Sequence, residues 1–138
     1  MKTFCIGRDD EIATWAFDTF KFYPTHYVMA VGIVEDQKLV GAAMFHAHSG
    51  PDVEISYYGP NTLTLDVVKG LAKIAVEHLG VSRVTARTSR SNKVMTRGIK
   101  KLGFEFEGIR HCGYGNQDAV MYGLYGANLA RLSGKAMH

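Results

Sequence analysis

Three stretches decide the fold: Val81-Ser82-Arg83-Val84-Thr85-Ala86-Arg87-Thr88; Lys101-Leu102-Gly103-Phe104-Glu105-Phe106-Glu107-Gly108; and Asp118-Ala119-Val120-Met121-Tyr122. Arg83 to Thr88 reads as a strand. Ser91 or Asn92 is then placed to cap a helix on which Met95, Ile99 and Leu102 share one face, and Gly103 stands where such a helix stops. Phe104 and Phe106 alternate with Glu105 and Glu107 as on a further strand. Gly113-Tyr114-Gly115-Asn116 turns the chain into Ala119 to Tyr125, which closes a hairpin.

Upstream of this unit, Leu65, Val68, Ala72, Ala75, Val76 and Leu79 recur at helical spacing after Thr62 or Thr64, each a good N-cap, and Gly80 ends the helix. Val53, Ile55 and Tyr57 alternate with Glu54, Ser56 and Tyr58 as on a strand that Gly59-Pro60 terminates. Tyr27 to Val34 and Leu39 to Phe45 form a hairpin about the polar turn Glu35 to Lys38. Before it come a strand candidate, Lys2 to Ile6, and a helix capped by Asp9 or Asp10 that carries Ile12, Trp15, Ala16 and Phe20 and is closed by Pro24. Gly126 to His138 shows little periodicity and reads as a loose tail or a short helix. The order β-α-β-β-β-α-β-α-β-β predicts a mixed α/β (α+β) sheet, mostly antiparallel, with helices packed on it.

The chain has 138 residues, 46% of them apolar and 21% charged, so a single domain with a substantial core is expected over residues 1–138. Cys5 and Cys112 are too few for a disulfide framework and lack metal-site spacing, which suggests reduced thiols. Charged residues interrupt the first dozen positions, and no apolar run approaches the ~20 residues of a membrane span. A cytoplasmic protein is therefore expected, neither exported nor membrane-spanning. The net charge is only +3, but Arg83, Arg87, Arg90, Lys93, Arg97, Lys100, Lys101 and Arg110 fall close together. That clustering suits an anionic partner or a solvated face. Nucleic acid is a less favoured partner, because interleaved aromatics and a strongly basic balance are lacking.

From Leu79 to Tyr122, the strand, the Asn92 helix start, the Lys101-Leu102-Gly103-Phe104 step, the following Glu107-Gly108 and the terminal strand resemble the GNAT superfamily of N-acetyltransferases. The resemblance implies a central parallel strand pair, here Val53 to Tyr58 and Arg83 to Thr88, with acetyl-CoA in the gap between them. It implies a pyrophosphate at the start of the following helix, where free amides and the helix dipole favour anions. Gly59, Asn61, Thr62 and Thr64 would lie there, with Asn92 and Arg97 on the neighbouring helix and Arg90 or Lys93 as further cations. In this loop the family carries spaced glycines, whereas here none follows Pro60 until Gly70, and Asp66 enters the first helical turn.

The resemblance also implies transfer of an acetyl group to a primary amine of a small molecule or peptide. Glu54 is the expected base, because the family often carries a Glu on that strand. His46 and His48, two apart on a strand, are expected on one face beside it, to serve as bases or to shape an acceptor pocket, with His46 counted among the catalytic candidates. No metal is expected. The family position for a tyrosine acid, seven residues after Asn92, holds Ile99, which leaves Tyr57, Tyr58 or Tyr114 as proton donor, with Tyr58 favoured. The loop supports an alternative reading as a protein of this fold without acetyl-CoA binding. Exposed edge strands and the C-terminal hairpin leave room for a homodimer.

Overall fold

A computed structural model describes residues 2–20 and 26–134. The expected position of Pro24 as a helix stop lies outside the described residues, as do the last four residues of the tail. The elements are β1 (Lys2–Cys5), α1 (Asp9–Phe20), β2 (Tyr27–Glu35), β3 (Lys38–Ser49), β4 (Asp52–Tyr58), α2 (Leu65–Leu79), β5 (Arg83–Ser89), α3 (Lys93–Lys101), β6 (Glu105–Arg110), β7 (Ala119–Tyr125) and α4 (Gly126–Ser133). Their order is the one the sequence implies. The seven strands form one sheet in the order β1-β2-β3-β4-β5-β7-β6. All neighbours are antiparallel except β4 and β5.

Local chemistry explains most boundaries. The β2–β3 hairpin turns through Asp36 and Gln37, both at positive φ, an arrangement whose twist matches that of the flanking strands. Thr64 caps α2 by accepting from the Val67 amide, Asn92 caps α3 by accepting from the Met95 amide, and Gly80 ends α2 in the left-handed region. Asp9 and Asp10 do not cap α1. Both sit inside its first turn, where the Ile12 amide bonds the Arg8 carbonyl, so they act on the helix dipole instead. Gly103 adopts φ 99° beside α4, and a Cβ there would stand 2.8 Å from the Arg131 guanidinium. The positive φ is what favours glycine, since the end of the Arg131 side chain can swing aside.

The two faces of the sheet are covered unequally. On one, Val31, Ile33, Phe45, Val53, Val84 and Leu124 pack against α2 and α4 through Val67, Leu71, Ala75, Leu129 and Leu132. Gly126–Ser133 is thus a docked helix, with Leu129 and Leu132 buried in the main core. On the same side Ala86, Val120 and Tyr122 pack against Ile99 of α3. The opposite face is covered over β2 and β3 by α1, through Ile12, Ala13 and Ala16 against Ala30, Ala42 and Met44. Small residues on both sides let helix and sheet approach closely. Of the β4 side chains that point to this second face, Tyr58 packs against the α1 cluster, its ring stacked on Phe20 at 6.1 Å between centroids.

Candidate active site

β4 and β5 begin as parallel partners, from Asp52 opposite Arg83 to Ile55 opposite Ala86. Beyond that point they separate. Ser56 to Tyr58 remain paired to β3, and Arg87 to Ser89 to β7, but across the gap these segments have no strand partner among the described residues. Backbone N–H and C=O groups need partners, so the splay leaves two open strand edges facing each other. Between them lies a cleft of about 340 Å³ with an apolar wall that includes Ile55, Val68, Leu71, Ala86, Met95 and Ile99, while Tyr58, Asn92 and Tyr114 also reach its lining.

One cluster stands at the separating strands. The Glu54 carboxylate is part-buried, 3.6 Å from His46 Nδ1 and 3.5 Å from Arg87 Nη2. His46 Nε2 lies 2.9 Å from the Ser56 hydroxyl. Burial lowers the His46 pKa from its ordinary value; Glu54 opposes that shift and Arg87 adds to it. Burial raises the Tyr58 pKa, against a hydrogen bond from Ser56. The pKa of the Tyr114 hydroxyl is likewise raised by burial, lowered by Arg87, and raised by Tyr58 and Glu54; its side chain lines the same cleft as Tyr58 and Arg87. Both phenols keep their protons at neutral pH. Asp118 anchors the loop that carries Tyr114, through the Cys112 amide at 3.0 Å and Arg90 at 3.3 Å.

Several expected placements change. His48 does not share a face with His46. Ala47 takes φ 51° in a bulge that sets Ala47 and His48 opposite Val53, so the alternation breaks and His48 is left exposed, 3.2 Å from the Gly50 carbonyl. Tyr57 points away from Glu54 into the α2 side, where its hydroxyl bonds Thr62 at 2.6 Å. Thr62 in turn donates to the Gly59 carbonyl at 2.8 Å, so its one hydroxyl proton is spent within the loop. Gly59 is locked there by contact, since a Cβ would stand 2.8 Å from the Gly41 Cα. Thr64 spends an acceptor on its cap, Asn61 takes φ 61° in the turn before α2, and Asp66 lies in the first turn of α2 as expected. Asn92 caps α3 and lines the cleft, while Arg97 is exposed on α3.

The basic stretch is also dispersed. Arg83 pairs with Asp52 and Glu107, Arg87 with Glu54 and Arg90 with Asp118. Arg87 and Ser56 enter the site only through tertiary structure. The one local signal for Arg87 is its strand parity, two residues past Thr85, which pairs with Glu54.

The class the fold and site define is an α/β domain whose otherwise antiparallel sheet opens at a single parallel pair, with helix N-termini at the opening and a carboxylate beside it. The pattern described as the Acetyltransferase (GNAT) domain matches residues 6–105, and the chain belongs to the GNAT acetyltransferase family. Among solved structures it is similar to a spermidine/spermine N-acetyltransferase, SpeG, from Vibrio cholerae, with a TM-score of 0.77 over 96% of this chain and 99% of that one at 10% identity. It also resembles a probable acetyltransferase (TM-score 0.60, 23% identity, 70% of this chain) and a GNAT-family acetyltransferase from Bacillus anthracis (0.58, 19%, 70%). The chain spans 59% and 65% of the length of those two proteins. No protein of curated function matches the sequence. No helix among the described residues is long and apolar enough to cross a membrane.

Proposed function

We propose that this protein transfers an acetyl group from acetyl-CoA to a primary amine at the open end of the β4–β5 cleft. The observation that carries this reading is the separation of the two strands past Ile55 and Ala86. The cleft's apolar walls suit the arm that bears the thioester, and the unpaired strand edges suit the amides along that arm. At the phosphate end, the Leu65 and Asp66 amides in the first turn of α2, together with Gly59, Asn61 and the Thr64 hydroxyl, form the receiving surface. Asn92 holds the start of α3 against the cleft. Lys93 and Arg97 on that helix supply positive charge, Arg90 being occupied by Asp118.

In the transfer the amine nitrogen forms the new C–N bond and the C–S bond breaks. Glu54 takes the proton from nitrogen, and the departing thiolate receives one from Tyr58, with Tyr114 beside it as the second donor. His46 is a positioning residue that holds Ser56 and the Glu54 carboxylate in place. A small polyamine, the acceptor class in the name of the Vibrio cholerae enzyme, and a peptide amine are both candidate acceptors.

A thermal-shift titration of the whole chain with acetyl-CoA tests the reading. Binding raises stability by about 2.7 kcal/mol at a hundredfold excess over the dissociation constant. An unchanged melting temperature at millimolar acetyl-CoA would instead favour a GNAT-fold protein that does not use this cofactor. Asp66 and the glycine-poor loop are the features behind that second reading.

A further inference from the structure

The sheet ends at β6, and among the described residues no strand pairs with its outer side. This edge is not blunted by burial or brevity. All of its residues except Gly108 are exposed, and it carries two large apolar side chains, Phe106 at 56% and Ile109 at 38% exposure. Open, apolar edges are places where another strand adds.

What the edge fits follows from its register. Glu105, Phe106, Gly108, Ile109 and Arg110 stand opposite Gly123, Tyr122, Met121, Val120 and Ala119, so Glu107 is an extra residue in a bulge. Phe106 and Ile109 are three apart, and without the bulge they would face opposite sides of the sheet. With it, both lie on the side of Tyr122 and Val120, which pack with α3, while Glu105 and Arg110 lie together on the other side. Read in either direction, the strand then shows a charge, an apolar residue, a gap, an apolar residue and the opposite charge.

We infer that β6 is a self-recognition edge. Two copies of this chain pair β6 with β6 antiparallel about a two-fold axis between Glu107 and Gly108. Glu105 then faces Arg110 of the second copy, and Phe106 faces that copy's Ile109. Each contact occurs twice, as an isologous interface requires. The two Glu107 carboxylates do not meet, because each faces a glycine and is held inward by Arg83 of its own chain. A shift of one residue would oppose side chains from opposite faces, Glu105 with Ile109 in the register that brings the two Glu107 together and Phe106 with Arg110 in the register that brings the two Gly108 together. The other edge lacks this symmetry, since β1 reads Lys2-Thr3-Phe4-Cys5 and offers no acid to match Lys2. Because β7 separates β6 from β5, pairing at this edge leaves the β4–β5 cleft open. The inference stands whether or not the chain uses acetyl-CoA.

Sedimentation equilibrium on the full chain tests it, with Glu105→Arg, Arg110→Glu and the double exchange as variants. The wild type should dimerise at concentrations up to about 100 µM, in the range of weak, transient interfaces. Each single reversal sets like charges opposite one another at two symmetric positions and should weaken association by about tenfold or more, while the double exchange restores it. Glu105 also accepts from the Tyr125 hydroxyl, so its reversal carries a folding risk. Arg110→Glu and Phe106→Ser avoid that bond and should each weaken the dimer with an unchanged circular-dichroism spectrum. A monomer throughout the concentration range, or a dimer equally tight in Arg110→Glu and Phe106→Ser, overturns the proposal.

Discussion

His46 shows how one side chain couples the fold to its candidate chemistry. Its folded pKa lies below the ordinary 6.5, chiefly because burial disfavours the charged ring. The unfolded chain therefore binds a proton more readily than the folded one, and stability falls as pH drops below about 6.5 toward the folded value. Urea midpoints measured between pH 5 and pH 8 should decline on the acid side in the wild type and decline less in His46→Gln. An equal slope in both proteins would mean that His46 does not carry the effect. Glu54, 3.5 Å from Arg87, makes a different prediction. Glu54→Gln keeps the size of the side chain but cannot take a proton, so kcat for amine acetylation should fall by about 10²–10⁴ with KM for acetyl-CoA little changed. On the same proposal, Tyr58→Phe should lower kcat more than Tyr114→Phe when the two are assayed side by side, and an unchanged kcat in both would remove the phenols from the mechanism.

Caps are local devices, and that is why the sequence narrowed those of α2 and α3 to two residues each, though it misplaced that of α1. Asn92 and Thr64 each needed only a polar side chain three residues ahead of a receptive amide. The start of α2 carries a conflict of the same local kind. Asp66 in its first turn favours the helix through the dipole, yet places a negative charge where a pyrophosphate would sit. Asp66→Asn should therefore lower stability slightly, by about 0.3–1 kcal/mol, and tighten acetyl-CoA binding by a factor of about two to five. Calorimetric titration against both forms checks the two effects independently, and weaker binding in the variant would contradict this placement of the phosphates. Strand ends were less legible. The extra reach of β3 to Ser49 and the displacement of His48 depend on a bulge at Ala47, which is set by pairing with β4 and leaves no mark in composition or period.

At the scale of the molecule, both faces of the sheet are built for the opening in the middle. Helices α2, α3 and α4 seal one side with a continuous apolar core, α1 seals β2 and β3 on the other, and the parallel pair is left to separate. Amides in Ser56–Tyr58 and Arg87–Ser89 that face the gap should exchange with solvent faster than those in the paired halves of β4 and β5. Acetyl-CoA should slow them by hydrogen bonding across the gap. Hydrogen exchange followed by mass spectrometry reads this directly. Protection confined to α2, with none in the two strand ends, would place the cofactor elsewhere.

Local sequence was enough for the element order, for narrowing the caps of α2 and α3 to two residues each, for the glycine step at Gly103 and for the place of Glu54 on a central strand. Each of these rests on residues within a few positions of one another, where backbone sterics and hydrophobic period act. The assembled sheet is what makes β4 and β5 part after Ile55, gathers Arg87 and His46 around Glu54, and brings Tyr114 to the lining of the cleft. It also makes Tyr57 bond the Thr62 hydroxyl, whose own proton goes to the Gly59 carbonyl, and sets the bulge in β6 that brings Phe106 and Ile109 to one face. These relations join residues distant along the chain. They follow from strand register and from which faces the helices cover, quantities that no short stretch of sequence contains.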